Sequence, residues 1–176
     1  MISKITNIIT KEIHTTKNFQ DLAGYFVNNK GTVLLLSGGE HESARYNIIS
    51  IEPWLEISSK GSDIFITVQG ETTILHGNPF NILKEITNKY KKMYGEILAN
   101  VEDSHLFPIS AGLFGYLSYD MKDHIEFLNR TTVDDLDLPE LYMIIPGLIF
   151  VEDRITGKQY IQIIELDNAD SKQTEY

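Results

Sequence analysis

The sequence contains no cysteine. Disulfides, thiolate nucleophiles and thiolate metal ligands are therefore excluded, which fits a reducing cytoplasm. Long hydrophobic runs are also missing. No window approaches the roughly 20 apolar residues that a membrane helix needs, and residues 1–17 lack the continuous apolar core of a signal peptide. We therefore expect a cytoplasmic protein without a membrane partner.

Positive charge is scarce. The chain has 15 Lys and Arg residues against 25 Asp and Glu, for a formal net charge of −10. A field of this sign does not attract phosphate backbones or anionic membranes, so we expect no nucleic-acid partner. The basic cluster at Lys89, Lys91 and Lys92 is too small to change this expectation.

Apolar residues make up 42% of the 176 positions, enough for one core. Two segments show helical spacing. One occupies residues 17–31 after Thr15-Thr16, with Gly31 as its stop signal. The other begins at Asn78-Pro79, a cap followed by proline at the first helical position. Its apolar stripe is formed by Phe80, Leu83, Ile86, Tyr90 and Met93.

Short apolar and β-branched segments predict the strands. Residues 32–37 suit a strand buried on both faces, and residues 45–60 form an extended pattern interrupted at Glu52-Pro53. Residues 63–76 predict a hairpin that turns at 69–71, and two further strands flank a turn at 153–158. Many strands, two principal helices and no regular βαβ alternation indicate an α+β fold with a largely antiparallel sheet.

Two glycine pairs raise the question of a binding loop. Gly38-Gly39 lacks the flanking residues of a phosphate loop or a dinucleotide fingerprint, so we interpret it as a turn. Gly112 and Gly115, in the sequence GLFGYLSYD, have two interpretations. They either permit close approach of another backbone or form the wall of a ligand cavity.

Chemistry-bearing residues form no complete catalytic pattern. The five histidines show no zinc-ligand spacing, and Ser37 stands in LSGG rather than in a nucleophile elbow. Asp120, Asp123 and Glu126 would share one face of a helix, where a solvated surface is the simplest interpretation. We therefore predict no catalytic residue and no metal ligand in this chain.

The order of the motifs resembles a known family. Five segments, taken in order, are similar to the N-terminal domain of the large subunits of aminodeoxychorismate synthase and anthranilate synthase. They are LLLSGG, ARYNIISIEPWLEISSKG, NPFNILKEI, FPISAGLFGYLSYD and LDLPELYMIIPGLIFVEDRITGKQYI. The resemblance covers roughly residues 32–164. Its most specific parts are residues 37–46, the glycine and tyrosine run that ends at Asp120, and Leu138-Pro139-Glu140.

The resemblance implies a non-catalytic domain at residues 1–166 and a linker or truncated tail at 167–176, with the C-terminal chorismate-binding domain absent. It implies as partners that domain and a glutamine amidotransferase subunit, with Mg²⁺ as cofactor in the missing domain. The expected parent enzyme is aminodeoxychorismate synthase component I, of para-aminobenzoate and folate biosynthesis, and the fragment alone is expected to be inactive. The alternatives are anthranilate synthase component I, of tryptophan biosynthesis, and a stand-alone amino-acid-binding regulatory module.

The family also places a tryptophan pocket between its two domains. Its matching half here is Leu35, Leu36, Ser37, Arg45 and Tyr46, where Leu36 stands in place of the family's glutamate. The loss of that carboxylate removes a partner for an ammonium and favours the aminodeoxychorismate branch. Arg45 can instead order the strand crossing by bonding carbonyls, and Tyr46 can be half-buried core with a wet hydroxyl.

Overall fold

The computed structural model describes residues 4–39, 41, 43–100, 112–126 and 134–167. Its strands form one antiparallel sheet in the order β1-β8-β7-β3-β4-β5, with β2 added beside β3 and β6 beside β7. The α+β prediction is confirmed. The elements are β1 Ile5–Ile13, α1 Phe19–Phe26, β2 Val33–Leu35, β3 Tyr46–Lys60, β4 Asp63–Val68, β5 Glu71–His76, α2 Pro79–Leu98, β6 Phe114–Leu117, a 3₁₀ helix Tyr119–His124, β7 Leu141–Asp153 and β8 Gln159–Leu166.

The 15-residue strand β3 is the centre of the sheet, because β2, β4 and β7 all pair with it. The predicted interruption at Glu52-Pro53 is a β-bulge within this continuous strand. The register shifts between Pro53 and Leu55, and Glu52 adopts the left-handed backbone, with φ of 54°. A bulge keeps both halves of the strand paired while bending it locally.

Residues 32–37 were predicted as a strand buried on both faces, and this was wrong. β2 has three residues and pairs only with β3 within the described chain, so it lies at an edge. Leu35 is 41% exposed and Leu36 is 63% exposed. A continuous apolar segment shows that its residues are hydrophobic. It does not show which strands will flank it, and burial depends on those strands.

Helix α2 follows the prediction closely. The Asn78 side chain accepts from the Phe80 backbone N–H at 2.9 Å, and Pro79 begins the helix. Ile86, Tyr90 and Tyr94 are buried against a core cluster built from β1, β3, β4, β7 and β8. Tyr94 was absent from the predicted stripe, although it lies one turn beyond Tyr90.

Helix α1 is shorter than predicted. Asn18 caps it by accepting from Asp21 N–H, and the helix ends at Phe26 rather than beside Gly31. Gly31 has φ of 77°, and a Cβ there would lie 2.4 Å from Pro53. This glycine therefore permits a close loop-to-strand contact instead of ending the helix.

No helix in the described ranges has the length and apolarity needed to cross a membrane.

Strand β1 was not predicted. It pairs along its length with β8, and Ile5 and Ile8 are its buried residues. Their spacing of three arises because a register irregularity lies between Ile5 and Asn7. A bulge of this kind hides the period-two signal on which strand prediction depends.

Two predicted turns are confirmed. Gln69 and Gly70 join β4 to β5 with φ of 49° and 88°, the positive pair expected of a two-residue hairpin loop. The turn at 153–158 joins β7 to β8. β8 ends at Leu166; of the predicted tail only Asp167 lies within the described residues, so that boundary stays a prediction.

Candidate functional site

The predicted half-pocket lies where β2 ends beside the start of β3. Ser37 is held in place by two hydrogen bonds: its Oγ donates to the Tyr46 carbonyl at 2.6 Å, and its N–H donates to Asn47 Oδ1 at 3.0 Å. The hydroxyl proton is thus engaged within the protein. The hydroxyl oxygen retains acceptor capacity, so Ser37 is arranged to accept from a donor such as an ammonium.

Arg45 pairs with a carboxylate rather than with carbonyls, so the predicted alternative role was wrong in its partner. Its Nη2 donates to Asp153 Oδ2 at 2.7 Å, and its Nε lies 3.2 Å from both carboxylate oxygens. The guanidinium also lies 4.9 Å from the centre of the Tyr46 ring. Tyr46 is half-buried and packs against a core cluster, as its alternative interpretation predicted.

Asp153 was not among the predicted site residues, yet it organises this corner. The hydrogen bond from Arg45 is the largest cause that lowers the pKa of Asp153 to about 2, against the opposing effect of burial. The N–H groups of Ile155 and Thr156 donate to the same carboxylate. The same pairing raises the pKa of Arg45. Asp153 therefore fixes the β7–β8 turn to the start of β3.

Arg154 performs the carbonyl-bonding role that we had considered for Arg45. Its Nη1 donates to the carbonyls of Ser37 at 2.8 Å and Ala44 at 2.9 Å, with Gly39 at 3.4 Å. A guanidinium carries five rigidly placed N–H donors, so it suits several carbonyl groups that converge on one point. No local signal marks this residue, because the pairing of Tyr46 with Asp153 is what places it beside the loop.

The chemistry available at this corner is recognition of a small polar group. Leu35 and Leu36 offer exposed aliphatic surface, and the Ser37 oxygen offers an acceptor. Asn47 is buried and donates to Glu152 Oε2 at 2.8 Å, which leaves it committed to the scaffold. The structure therefore brings Ser37, Arg45 and Tyr46 together with Leu35 and Leu36 beside them. Their role in ligand binding stays a prediction.

The glycine run at β6 shows both features that its sequence suggested. Gly115 has φ of 152°, and a Cβ there would lie 2.0 Å from the Tyr142 carbonyl oxygen, so β6 can approach β7 only with glycine. Gly112 instead helps to line a mainly apolar cavity of about 600 Å³ beside α2, with Leu113, Tyr90 and Met143 among its walls. The steric interpretation is confirmed at Gly115. Gly112 lines a cavity, and whether that cavity binds a ligand stays a prediction.

The carboxylates after β6 and before β7 have structural partners. Lys122 lies 3.1 Å from both Asp120 and Asp123 within the 3₁₀ helix. Glu126 lies beyond the end of that helix, so the predicted helical face of three acids is not formed. The buried Glu140 accepts from Gly61 N–H at 3.0 Å and lies 3.4 Å from His124 Nε2. This contact joins the β3–β4 turn to the 3₁₀ helix.

Metal binding depends on the available donor set. Among the described residues, no group of three or more His, Asp or Glu side chains could hold a metal ion. Mg²⁺ needs a set of oxygen ligands around it. The family resemblance places Mg²⁺ in the C-terminal domain, so the cofactor expectation stays a prediction.

Comparison with known proteins gives related sequences but no matching family model. The chain is 35% identical over 130 residues to anthranilate synthase component 1 of Acetivibrio thermocellus, covering 73% of this chain and 24% of the relative. It is 30% identical over 129 residues to the protein of the same name from Cereibacter sphaeroides, covering 70% and 24%. It is also 30% identical over 132 residues to aminodeoxychorismate synthase component 1 of Bacillus subtilis, covering 72% and 24%.

The fold has a counterpart among solved structures. Anthranilate synthase component I from Streptococcus pneumoniae TIGR4 matches with a TM-score of 0.51 and 21% identity, over 94% of this chain and 33% of that one. The chain spans about a quarter of the length of the curated relatives it matches. Over the segment that aligns, it belongs to the family that includes component 1 of anthranilate synthase and component 1 of aminodeoxychorismate synthase.

Proposed function

We propose that this chain is the N-terminal, non-catalytic domain of a chorismate-aminating synthase large subunit. The supporting observation is its relationship to the component 1 proteins of two such synthases, of which it spans about a quarter. In this proposal, chorismate is bound by a C-terminal domain, and a glutamine amidotransferase subunit supplies ammonia. This chain then contributes a folded sheet and one side of an amino-acid pocket.

Within the family, we propose aminodeoxychorismate synthase component I. The supporting residue is Leu36, which occupies the glutamate position of the family's pocket motif and is 63% exposed. An aliphatic side chain cannot pair with an ammonium, so recognition of an amino-acid head group at this position is weakened. The identities of 30–35% do not separate the two branches.

The proposed docking of the rest of the synthase has a candidate surface. Tyr116, Leu117, Tyr119, Leu136 and Leu138 are all more than 40% exposed, and we call them the β6 apolar surface. The Ser118 N–H donates to the Glu140 carbonyl at 2.7 Å, which holds the two segments together. Exposed apolar side chains on neighbouring segments are typical of interaction sites, and the occupant we propose is the chorismate-binding domain of the same synthase.

Two alternatives follow from specific observations. Two of the three relatives named above are anthranilate synthase components, which supports that branch. The acceptor oxygen of Ser37 beside exposed Leu35 and Leu36 supports a stand-alone module that binds an amino acid. The module requires saturable binding by this chain alone, whereas the synthase proposal does not.

The product of the complete synthase tests the proposal. The reading frame that contains this chain should continue into a chorismate-binding domain, and the encoded protein is assayed with chorismate, ammonia and Mg²⁺. Formation of aminodeoxychorismate is the expected result. Anthranilate as product would transfer the assignment to the other branch, and conversion of chorismate by residues 1–176 alone would contradict the non-catalytic role.

A further inference from the structure

The cavity of about 600 Å³ beside α2 has no role in the proposed function. Its α2 wall runs from Leu83 to Leu98 through residues spaced three and four apart, so one face of the helix forms it. Gly112, Leu113 and Met143 contribute to the same wall. Clefts of this size and apolar character are typical of sites for small organic molecules.

Two glycines keep part of this cavity open. A Cβ at Gly95 or at Gly112 would meet nothing within 4 Å. Gly95 lies inside α2, where glycine is less favourable than alanine. Close packing does not explain this glycine, and its missing side chain enlarges the space beside the helix.

Lys91 is the charged residue among the described residues of the wall, and its side chain is exposed. Its helical neighbours three and four positions away carry no charge; they are Thr87, Asn88, Tyr94 and Gly95. By contrast, Glu85 lies one turn before Lys89, and Glu96 lies one turn after Lys92. Among the described residues, no carboxylate pairs with Lys91. Its ammonium is therefore available to an anion at the edge of the cavity.

The aromatic part of the wall favours a ring over a flexible alkyl chain. Tyr90 and Tyr94 both line the cavity, and their ring centroids lie 5.7 Å apart. The Tyr94 hydroxyl is hydrogen-bonded to Gln162 Oε1 at 2.8 Å, which fixes that ring in place. Tyrosine rings and the thioether of Met143 make favourable contacts with a further aromatic ring.

We propose that this cavity binds an aromatic monocarboxylate. The ring contacts Tyr90, Tyr94 and Met143, and the carboxylate pairs with Lys91 at the exposed edge. Because the chain has a formal net charge of −10, this anion is attracted by the local lysine and not by the field of the whole protein. The inference does not depend on the proposed function.

The test titrates the 176-residue chain with four compounds, followed by calorimetry and by the methyl resonance of Met143. Benzoate should bind saturably at millimolar concentration. 2-Naphthoate should bind about tenfold more tightly, because its second ring buries more apolar surface. Benzamide has the ring without the charge and should bind about tenfold more weakly than benzoate. Octanoate has the charge without a ring and should bind about fivefold more weakly than 2-naphthoate.

A lysine variant tests the charge. Lys91→Gln should weaken benzoate binding about tenfold, and benzoate and benzamide should then bind equally. Lys89→Gln is the matched control, because Lys89 is also exposed on α2 but lies outside the cavity wall. It should leave the affinity for benzoate unchanged.

A glycine variant tests the cavity itself. Gly95→Leu places a side chain in the open space and should weaken 2-naphthoate binding at least about tenfold. Gly24→Leu is the matched control: Gly24 lies in α1, and a Cβ there also meets nothing within 4 Å. It should not change binding. Leucine favours helix more than glycine does, so both variants should remain folded.

Four results would overturn the proposal. They are no saturable binding of benzoate or 2-naphthoate, equal binding of benzoate and benzamide by the parent chain, octanoate binding as tightly as 2-naphthoate, and unchanged binding in folded Gly95→Leu. Residues 101–111, which lie outside the described residues, allow one more test. If either ligand binds only after Leu106→Ser and Phe107→Ser are combined, that segment occupies the cavity and the proposal fails.

Discussion

Asp153 illustrates how one buried acid holds several segments. It receives the Arg45 guanidinium and two N–H groups of its own turn, and it is 2% exposed. Asn retains the shape but loses the charge, and it replaces one of the two accepting oxygens with an NH₂ donor. Asp153→Asn should therefore lower the free energy of unfolding by about 2 kcal/mol, measured by urea denaturation. The control is Asp63→Asn, because the ion pair between Asp63 and His76 is exposed. This variant should change the free energy of unfolding by less than about 0.5 kcal/mol.

The same residue predicts a pH dependence. Its folded pKa of about 2 lies below the ordinary value of 3.8. The pair with Arg45 therefore stabilises the fold fully above pH 3.8, and this contribution is lost as the pH falls toward 2. Unfolding free energy measured through this window should decline more steeply in the parent than in Asp153→Asn. Equal slopes would show that the carboxylate is not responsible.

Gly115 supports a second prediction at the residue scale. A Cβ at this position would lie 2.0 Å from the Tyr142 carbonyl oxygen, and backbone at this point cannot yield as a flexible side chain can. Gly115→Ala should destabilise the protein by about 3 kcal/mol and lower its thermal midpoint. Gly95→Ala is the matched control: Gly95 lies within α2, a Cβ there would meet nothing within 4 Å, and alanine should stabilise by about 0.5–1 kcal/mol.

At the scale of elements, Asn78 has two functions at the start of α2. Its Oδ1 caps the helix at Phe80 N–H, and its Nδ2 donates to the His124 carbonyl at 3.2 Å. Asn78→Ala should cost about 1–2 kcal/mol in thermal denaturation. Asn78→Asp keeps the cap but not the second bond, so it should cost less than alanine. An alanine variant as stable as the parent would contradict the capping role.

The sequence predicted the elements that have caps or helical spacing within a few residues. It did not predict which strand lies at the edge of the sheet or which contacts depend on strand pairing. Asn78-Pro79 and the stripe through Tyr90 specified α2 because caps and helical spacing act within a few residues. β2 was predicted as buried, since an apolar run does not report which strands flank it. Arg154 reaches Ser37 across 117 positions, a distance over which sequence pattern carries no information.

The predicted pocket shows the same division. Ser37, Arg45 and Tyr46 were named from family resemblance, and the structure brings them together. Asp153 and Asn47, which position them, carried no signal of their own. Each depends on the β3–β7 register, which pairs Tyr46 with Asp153 and Asn47 with Glu152. The residues that position the pocket are therefore determined by the pairing of distant strands, which a single sequence encodes least directly.

At the scale of the whole molecule, the β6 apolar surface predicts self-association of this chain when no partner covers it. Sedimentation across a concentration range should show reversible dimers. Tyr119→Ser and Leu138→Ser, at side chains 81% and 57% exposed, should weaken association at least about tenfold. Ile74→Ser, 56% exposed on β5, is the matched control and should not. Strict monomer behaviour at all concentrations would count against this surface.

Tryptophan binding also belongs to this scale, because it depends on how much of the pocket one chain provides. The Ser37 proton is already donated to Tyr46, and Leu36 provides no carboxylate. Calorimetry with tryptophan should therefore show no micromolar binding to this chain. A micromolar signal that Ser37→Ala abolishes and Ser62→Ala preserves would instead favour the stand-alone module.

The pairing of β1 with β8 affects how this sheet is completed during synthesis. Thr10 and Gln162 contact each other across 152 positions, so the first strand leaves the ribosome long before its neighbour exists. Closing so long a segment costs entropy before any pairing repays it, and such topologies fold on the millisecond-to-second timescale. Until β8 has been synthesised, β1 has no pairing partner. Chaperones that bind extended apolar segments would therefore bind β1 before it joins the sheet.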